Sequence, residues 1–274
     1  MTVFVPAYDV EAPKCLPACL KIVEIHRQYD APATFFIVGK MLEANPDEYR
    51  ELLEGSDFEV ASHTYSHKML RDHPICGPAA SKEQVKTEIL QGKASVENVF
   101  KRSCMGLRPG CGFVDGLKGA PDVLRLVSEA GFRYVSSMLW GPDFSMPAPL
   151  NRPFQYSSEG YPDLWELPGH GWHENVLKGS SAEARRILLF PPVLPEMIPS
   201  TYVQTPKEEF KFNNKPMINR AVAEDMPYVS LVWHPWSLNA FDPEMRMLHM
   251  TFKYLKKLSL QAMTFSNVLS LLSK

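Results

Sequence analysis

Short apolar runs rich in β-branched and aromatic residues recur along the chain: TVFVPA at the start, ATFFIV (33–38), FEVAS (58–62), FRYVSS (132–137), LWELP (164–168) and YVSLVW (228–233). Runs of this length read as strands buried on both faces. Between them, helical patterns predict helices over 14–29, 47–55, 82–100, 120–130 and 243–258. Ser81 followed by Gln84 is a capping-box start for the helix at 82. Gly131 closes the 120–130 helix and hands the chain directly to a strand. Strand and helix in alternation predict an α/β fold on a parallel sheet, either open or closed into a barrel.

Residues 141–227 break that rhythm with proline-dense stretches such as GPDFSMPAPLNRP and LLFPPVLPEMIPS. A segment so long without clear periodicity is expected to be a loop-rich functional insertion. With no internal repeat, the expectation is one catalytic domain over 1–274. A hydrophobic share of 45% with 22% charged residues supports a sizeable core. The net charge of −2, with acids and bases interspersed, gives no field to gather nucleic acid or an anionic membrane. The opening MTVFVPAYDV lacks a basic n-region and a long apolar stretch, and no run of about 18 apolar residues follows. A cytoplasmic chain with no membrane span is expected. The five cysteines (15, 19, 76, 104 and 111) are odd in number and lack CxxC spacing. They predict free thiols in a reducing compartment, with Cys15 and Cys19 a buried pair.

In sheets of this kind chemistry gathers at the C-terminal ends of the strands. There the sequence places Asp9 and Glu11, His63 and His67, Arg108 after the short CMGL run, Asp143, and His234. His63 and His67 are one helical turn apart, so on a helix or a loop entering one they share a face. With a carboxylate from a neighbouring strand end they make a three-ligand set that leaves one metal position open, as a catalytic zinc requires. The chain turns at a strand end, so Asp9 and Glu11 can reach one pocket. One carboxylate then ligates while the other serves as general base. Both acids also suit the N-terminus of the following helix. A surface HxxxH pair is the plain alternative for the histidines.

In this order the motifs resemble those of the polysaccharide deacetylases, carbohydrate esterase family 4, which share the NodB-like homology domain. The family's H-[ST]-x-x-H appears as His63-Thr64-Tyr65-Ser66-His67. Its R-x-P-x-G is matched in part by Arg108-Pro109-Gly110-Cys111-Gly112, with Gly110 a departure, and its L-x-x-H by Leu231-Val232-Trp233-His234. The first motif resembles the D-x-[DE] variant, and the DLWELPGHGWH stretch resembles a branch with allantoinase-like, imidase-like and peptidoglycan deacetylase members.

The resemblance implies a distorted (β/α) barrel with fewer than eight regular strands. It implies Asp9 as base, with Glu11, His63 and His67 holding Zn²⁺ or another divalent ion such as Co²⁺ or Ni²⁺. Arg108 would orient Asp9, and the backbone N–H near Cys111 would face the oxyanion. His234 would protonate the leaving nitrogen, and Asp143 would tune it, although Phe144 stands where the family has Trp. Trp165 would line the substrate pocket, and His170 and His173 would either contact substrate or stand as solvent-exposed loop histidines. The implied reaction is hydrolysis of a C–N amide bond, most simply N-deacetylation of an N-acetylated carbohydrate. An allantoinase- or imidase-like amidase of small molecules and an inactive carbohydrate-binding protein are the alternatives. The branch resemblance points toward a homo-oligomer.

Overall fold

A computed structural model describes residues 2–145, 148–172 and 205–273, with the backbone alone at Asp143, Gly171 and Trp172. Nine strands form one sheet: β1 (Val3–Val10), β2 (Ala33–Ile37), β3 (Phe58–Ser62), β4 (Gly106–Leu107), β5 (Tyr134–Val135), β6 (Phe154–Tyr156), β7 (Tyr161–Glu166), β8 (Gly171–Trp172) and β9 (Tyr228–Trp233). Their order is β6-β7-β5-β4-β3-β2-β1-β9-β8. Every neighbouring pair is parallel except β6–β7. The first helices are α1 (Cys15–Gln28), α2 (Gly39–Ala44), α3 (Pro46–Leu52), α4 (Lys82–Phe100) and α5 (Pro121–Glu129).

The sheet curls into an incomplete barrel, and the chain's own path shows it. β7 and β8 stand seven strand spacings apart in the sheet, about 34 Å if it were flat. Only residues 167–170 join them, a reach of about 18 Å at full extension. The bridge is tied on both sides, Leu167 N–H to the Val135 carbonyl and His170 N–H to the Ser230 carbonyl. Among the described residues no ladder pairs β7 with β8. The parallel α/β sheet is the one expected from the periodicity, and its curl agrees with the distorted barrel that the family resemblance implied, with five strands of five or more residues.

Side-chain parity then decides what faces inward. Val3, Val5 and Ala7 of β1 belong to the inner cluster, with Phe36, Ala61, Tyr228 and Val232 of the neighbouring strands. Phe4, Tyr8 and Val10 pack outward with Cys15, Ile22 and other residues of α1. Asp9 shares the inward parity of Ala7, and Glu11 follows it two residues on. Strand alternation therefore brings both acids to the same side. The N-terminal end of the barrel is closed by the helix Phe265–Leu272, which the periodicity did not predict. Its Ser266 N–H and hydroxyl donate to Glu59, which also accepts from Tyr134 Oη.

Several elements differ from the sequence expectations. The 47–55 helix starts anew at Pro46 after the separate short α2, because proline suits a first helical turn. FRYVSS shrinks to the two residues of β5. Within 141–227, the described parts carry the β6–β7 hairpin, β8 and the helix Lys215–Ala223. Cys76 and Cys111 form a disulfide, correcting the expectation of five free thiols, while Cys15, Cys19 and Cys104 are buried and free. Sequence spacing cannot reveal a bond between two loops that meet only at the barrel mouth. No helix among the described residues is long and apolar enough to cross a membrane.

Two buried histidines outside the barrel mouth make folding sensitive to acid. Burial pushes His26 and His170 down from 6.5 to about 4, partly offset by bonds to the Ala31 and Asn151 carbonyls. Between those values the unfolded chain binds the protons that the folded chain refuses, so stability falls as pH drops. For the metal-free protein, these two groups should add a slope of about 2.4 kcal/mol per pH unit near pH 5. Urea unfolding midpoints measured from pH 7 to pH 4 check this. A flat profile, or one that rises toward acid, contradicts it.

Candidate active site

At the C-terminal mouth of the barrel, Asp9 at the end of β1 lies beside Arg108, which follows β4. Arg108 Nη1 donates to Asp9 Oδ1 at 2.6 Å and Nη2 donates to Ser136 Oγ at 2.9 Å. Both partners are almost wholly buried, and the guanidinium lies over the Phe36 ring at 3.9 Å. Burial raises the Asp9 carboxyl, but the charges of Arg108, His63 and His234 and the Arg108 bond outweigh it and leave the pKa lowered. Burial also pushes His63 down to about 4. At neutral pH His63 is therefore uncharged, and Arg108 is the buried cation that keeps Asp9 ionised.

His63 and His67 do not share a helix face as their spacing suggested. Residues 63–70 are an irregular loop with left-handed backbone at Thr64 (φ 64°) and His67 (φ 65°). Thr64 Oγ1 accepts from the His67 N–H, and Ser66 is anchored to Glu88 of α4. Gly92 lets α4 come close, since a Cβ there would lie 2.7 Å from both Ser62 Oγ and the Thr64 carbonyl carbon. The result is two imidazoles edge to face, with ring centres 4.7 Å apart.

Glu11 completes the group. Its Oε2 lies 3.1 Å from His67 Nε2 and 4.0 Å from His63 Nε2, and its Oε1 lies 3.5 Å from His234 Nε2. Burial raises its carboxyl, but His234 and then His67 outweigh burial and hold it well below the usual carboxylate range. Glu11, His63 and His67 offer one donor atom each within 4.8 Å of one another. His63 Nδ1 donates to the Arg108 carbonyl at 2.9 Å, which fixes the tautomer. That leaves the Nε2 lone pair buried and without a hydrogen-bond partner. A buried acceptor so orphaned, facing a carboxylate and a second imidazole, fits a divalent cation. Two nitrogens and one carboxylate oxygen suit zinc, cobalt or nickel.

Asp9, Glu11, His63, His67, Cys111, Leu139 and His234 line a cavity of about 180 Å³. A larger one of about 690 Å³ lies between the α1–β2 turn and the helix Arg246–Leu258, but no cluster of acids and histidines meets in it. The site is therefore the smaller cavity. Gly110, a departure from the family motif, has a local reason: a Cβ there would lie 3.1 Å from His67 Nε2.

Two expected site residues fall elsewhere. His170 is fully buried, its Nδ1 accepting from the Ser230 N–H and its Nε2 donating to the Asn151 carbonyl. It ties the closing bridge to β9 and has no ring nitrogen left for a substrate. Trp165 pairs in register with Tyr134, which pairs with Gly106, two residues below Arg108, so it sits beneath the pocket instead of lining it. The Asp143 side chain and His173 lie outside the described residues. Sequence reasoning also missed Trp236, whose indole N–H donates to Glu11 Oε1 at 3.4 Å. The H-P-W run directly after β9 was the available signal.

The polysaccharide deacetylase family model matches residues 11–135. A peptidoglycan-N-acetylglucosamine deacetylase of Bacillus cereus is 28% identical over 120 residues, 44% of this chain and 48% of its own length. The chain thus spans about half of that relative. A Mycobacterium smegmatis structure assigned to the polysaccharide deacetylases superposes with a TM-score of 0.65 at 16% identity, covering 98% of this chain and 90% of its own. The PuuE allantoinase superposes equally well, with TM-score 0.65, 14% identity and coverage of 98% and 88%. Both structures share the fold with this chain. The match to the polysaccharide deacetylase family model takes in Glu11, His63, His67 and Arg108 and covers a little under half of the chain.

Proposed function

We propose that this chain is a metal-dependent amide hydrolase that removes the acetyl group from an N-acetylated sugar. One observation carries the reading: the orphaned His63 Nε2 converges with His67 and Glu11 beside an ionised Asp9 clamped by buried Arg108. Glu11, His63 and His67 hold the ion. When bound, it supplies Lewis-acid polarisation of the acetyl carbonyl and lowers the pKa of water. Asp9, kept ionised by Arg108, takes the water's proton. The backbone N–H at Cys111 faces the oxygen that gains charge. His234, across Glu11 from the two ligand histidines, delivers a proton to the departing nitrogen.

The cavity of about 180 Å³ is smaller than the ~300–1,000 Å³ usual for whole small-molecule ligands. It takes an acetamido group with the sugar ring outside. The same small volume favours, as a second reading, a compact cyclic amide or imide. The inactive binding protein is the weaker alternative, because Asp9, Arg108 and His234 are all in place around the ligand set. The Cys76–Cys111 bond supports work in an oxidising compartment over the cytoplasmic expectation.

The test is turnover by zinc-loaded protein of chitooligosaccharides, a peptidoglycan fragment, allantoin and a cyclic imide side by side. Acetate release from the first two alone is expected. Ring opening of allantoin or the imide without acetate release would replace the sugar reading with the second one.

A further inference from the structure

Between β3 and α4 the chain runs from His63 to Ser81 with no helix or strand longer than a single bridged pair. This stretch carries His67, a ligand of the proposed centre with a half-exposed ring. Its near end is held by Thr64 and by Ser66 on Glu88. Its far side is fastened to the loop that follows β4. Arg71 pairs with Asp115 and donates to the Gly116 and Lys118 carbonyls. Cys76 is bonded to Cys111, with Cα atoms 6.6 Å apart across 35 residues. His73 braces the cysteine turn, its Nδ1 accepting from the N–H groups of Ile75 and Cys76.

Cys111 is not an ordinary loop position. It lines the pocket and holds a left-handed φ of 67°, a backbone conformation that disfavours any residue with a Cβ. Its neighbour Gly110 lies against the His67 ring, and the Cys111 carbonyl accepts from Trp140 Nε1 at 2.6 Å. The disulfide therefore joins the loop that bears a ligand to the wall that this ligand's ring rests on.

We propose that the Cys76–Cys111 disulfide is a positioning element of the metal site. It fixes the 110–112 wall against His67, and its reduction weakens metal binding and turnover without unfolding the barrel. The inference rests on the metal-centre reading above. In the reduction a dithiol gives two electrons and two protons to the S–S bond. Cys76 and Cys111 become thiols and the dithiol closes to its own disulfide.

The experiment begins with thiol titration of the denatured protein, which should count Cys15, Cys19 and Cys104 before reduction and all five cysteines after it. Zinc affinity is then read by competition with a chromophoric chelator. The samples are oxidised protein, protein reduced and desalted, and a Cys76→Ser/Cys111→Ser variant. The expected result is affinity about tenfold weaker in the last two, the scale of losing a group that orients a ligand. Far-UV circular dichroism should be unchanged, and reoxidation of the reduced wild type should restore binding. For an N-acetylated sugar, kcat should fall by more than KM rises. Five thiols before reduction, or equal zinc affinity in oxidised and reduced wild type, overturns the proposal even where the variant fails to fold. Zinc bound by the oxidised protein without acetate release removes only the substrate reading, since the affinity comparison still decides the role of the disulfide. No zinc on any form removes both.

Discussion

Asp9→Asn is expected to retain the metal ion and lose about a thousandfold in kcat, within the ~10²–10⁴ that a positioned general base contributes. Retention follows from the geometry: the converging donor atoms come from Glu11, His63 and His67, and Asp9 is bonded instead to Arg108. An asparagine carbonyl can still accept from Arg108 Nη1, so the side chain stays in place while its basicity goes. Stability should fall as well. Arg108 is fully buried, and removing its counter-charge leaves a cation with the Ser136 hydroxyl and the Phe36 face for company. Breaking a buried pair in this way costs about 3–5 kcal/mol, here toward the lower end because those two contacts remain. The measurement is kcat well below the variant's melting temperature, with metal content by mass spectrometry on the same sample. More than a tenth of wild-type activity would remove Asp9 as the base. Loss of the metal would move it into the ligand set.

How much of this was legible in the sequence depended on whether the signal was local. Parity along FEVAS and YVSLVW places His63 and His234 at strand ends, and a short apolar strand is specified by its own residues. The pairing of Asp9 with Arg108, 99 residues apart, could be inferred only through the family resemblance, because nothing local to either residue encodes it. The reason for His67's position was hidden for a different cause. Its approach to His63 depends on left-handed backbone at two non-glycine residues, Thr64 and His67, which the HxxxH spacing does not encode. The resemblance carried His170 and Trp165 into the site through a shared stretch of sequence. Yet the structure uses His170 as a strut between backbones and sets Trp165 a level too low. The disulfide was misread because an odd cysteine count describes the whole chain, whereas the bond depends on where two loops meet.

Zinc should raise the melting temperature of the wild type strongly and that of His63→Ala scarcely at all. A ligand at a thousandfold excess over its dissociation constant adds about 4 kcal/mol to the folded state. For a chain of this size that corresponds to a shift of roughly 10 °C. Without metal, the variant should be nearly as stable as the wild type, because two costs oppose each other. Losing the imidazole leaves the Arg108 carbonyl without its His63 Nδ1 donor, at a cost of about 1–3 kcal/mol. It also removes the orphaned buried Nε2, which costs a similar amount in the metal-free wild type. The metal-dependent shift therefore isolates the ligand role from the packing role. His67→Ala should lose most of the shift too, with little change in metal-free stability, since its ring is 36% exposed. Asp9→Asn should keep the shift although its metal-free melting temperature is lower. Differential scanning calorimetry of the four proteins, each with and without zinc, reads all of this at once. An equal zinc shift in wild type and His63→Ala would show that the ion binds elsewhere, and the convergence of Glu11, His63 and His67 would then have to be explained as a hydrogen-bonded cluster alone.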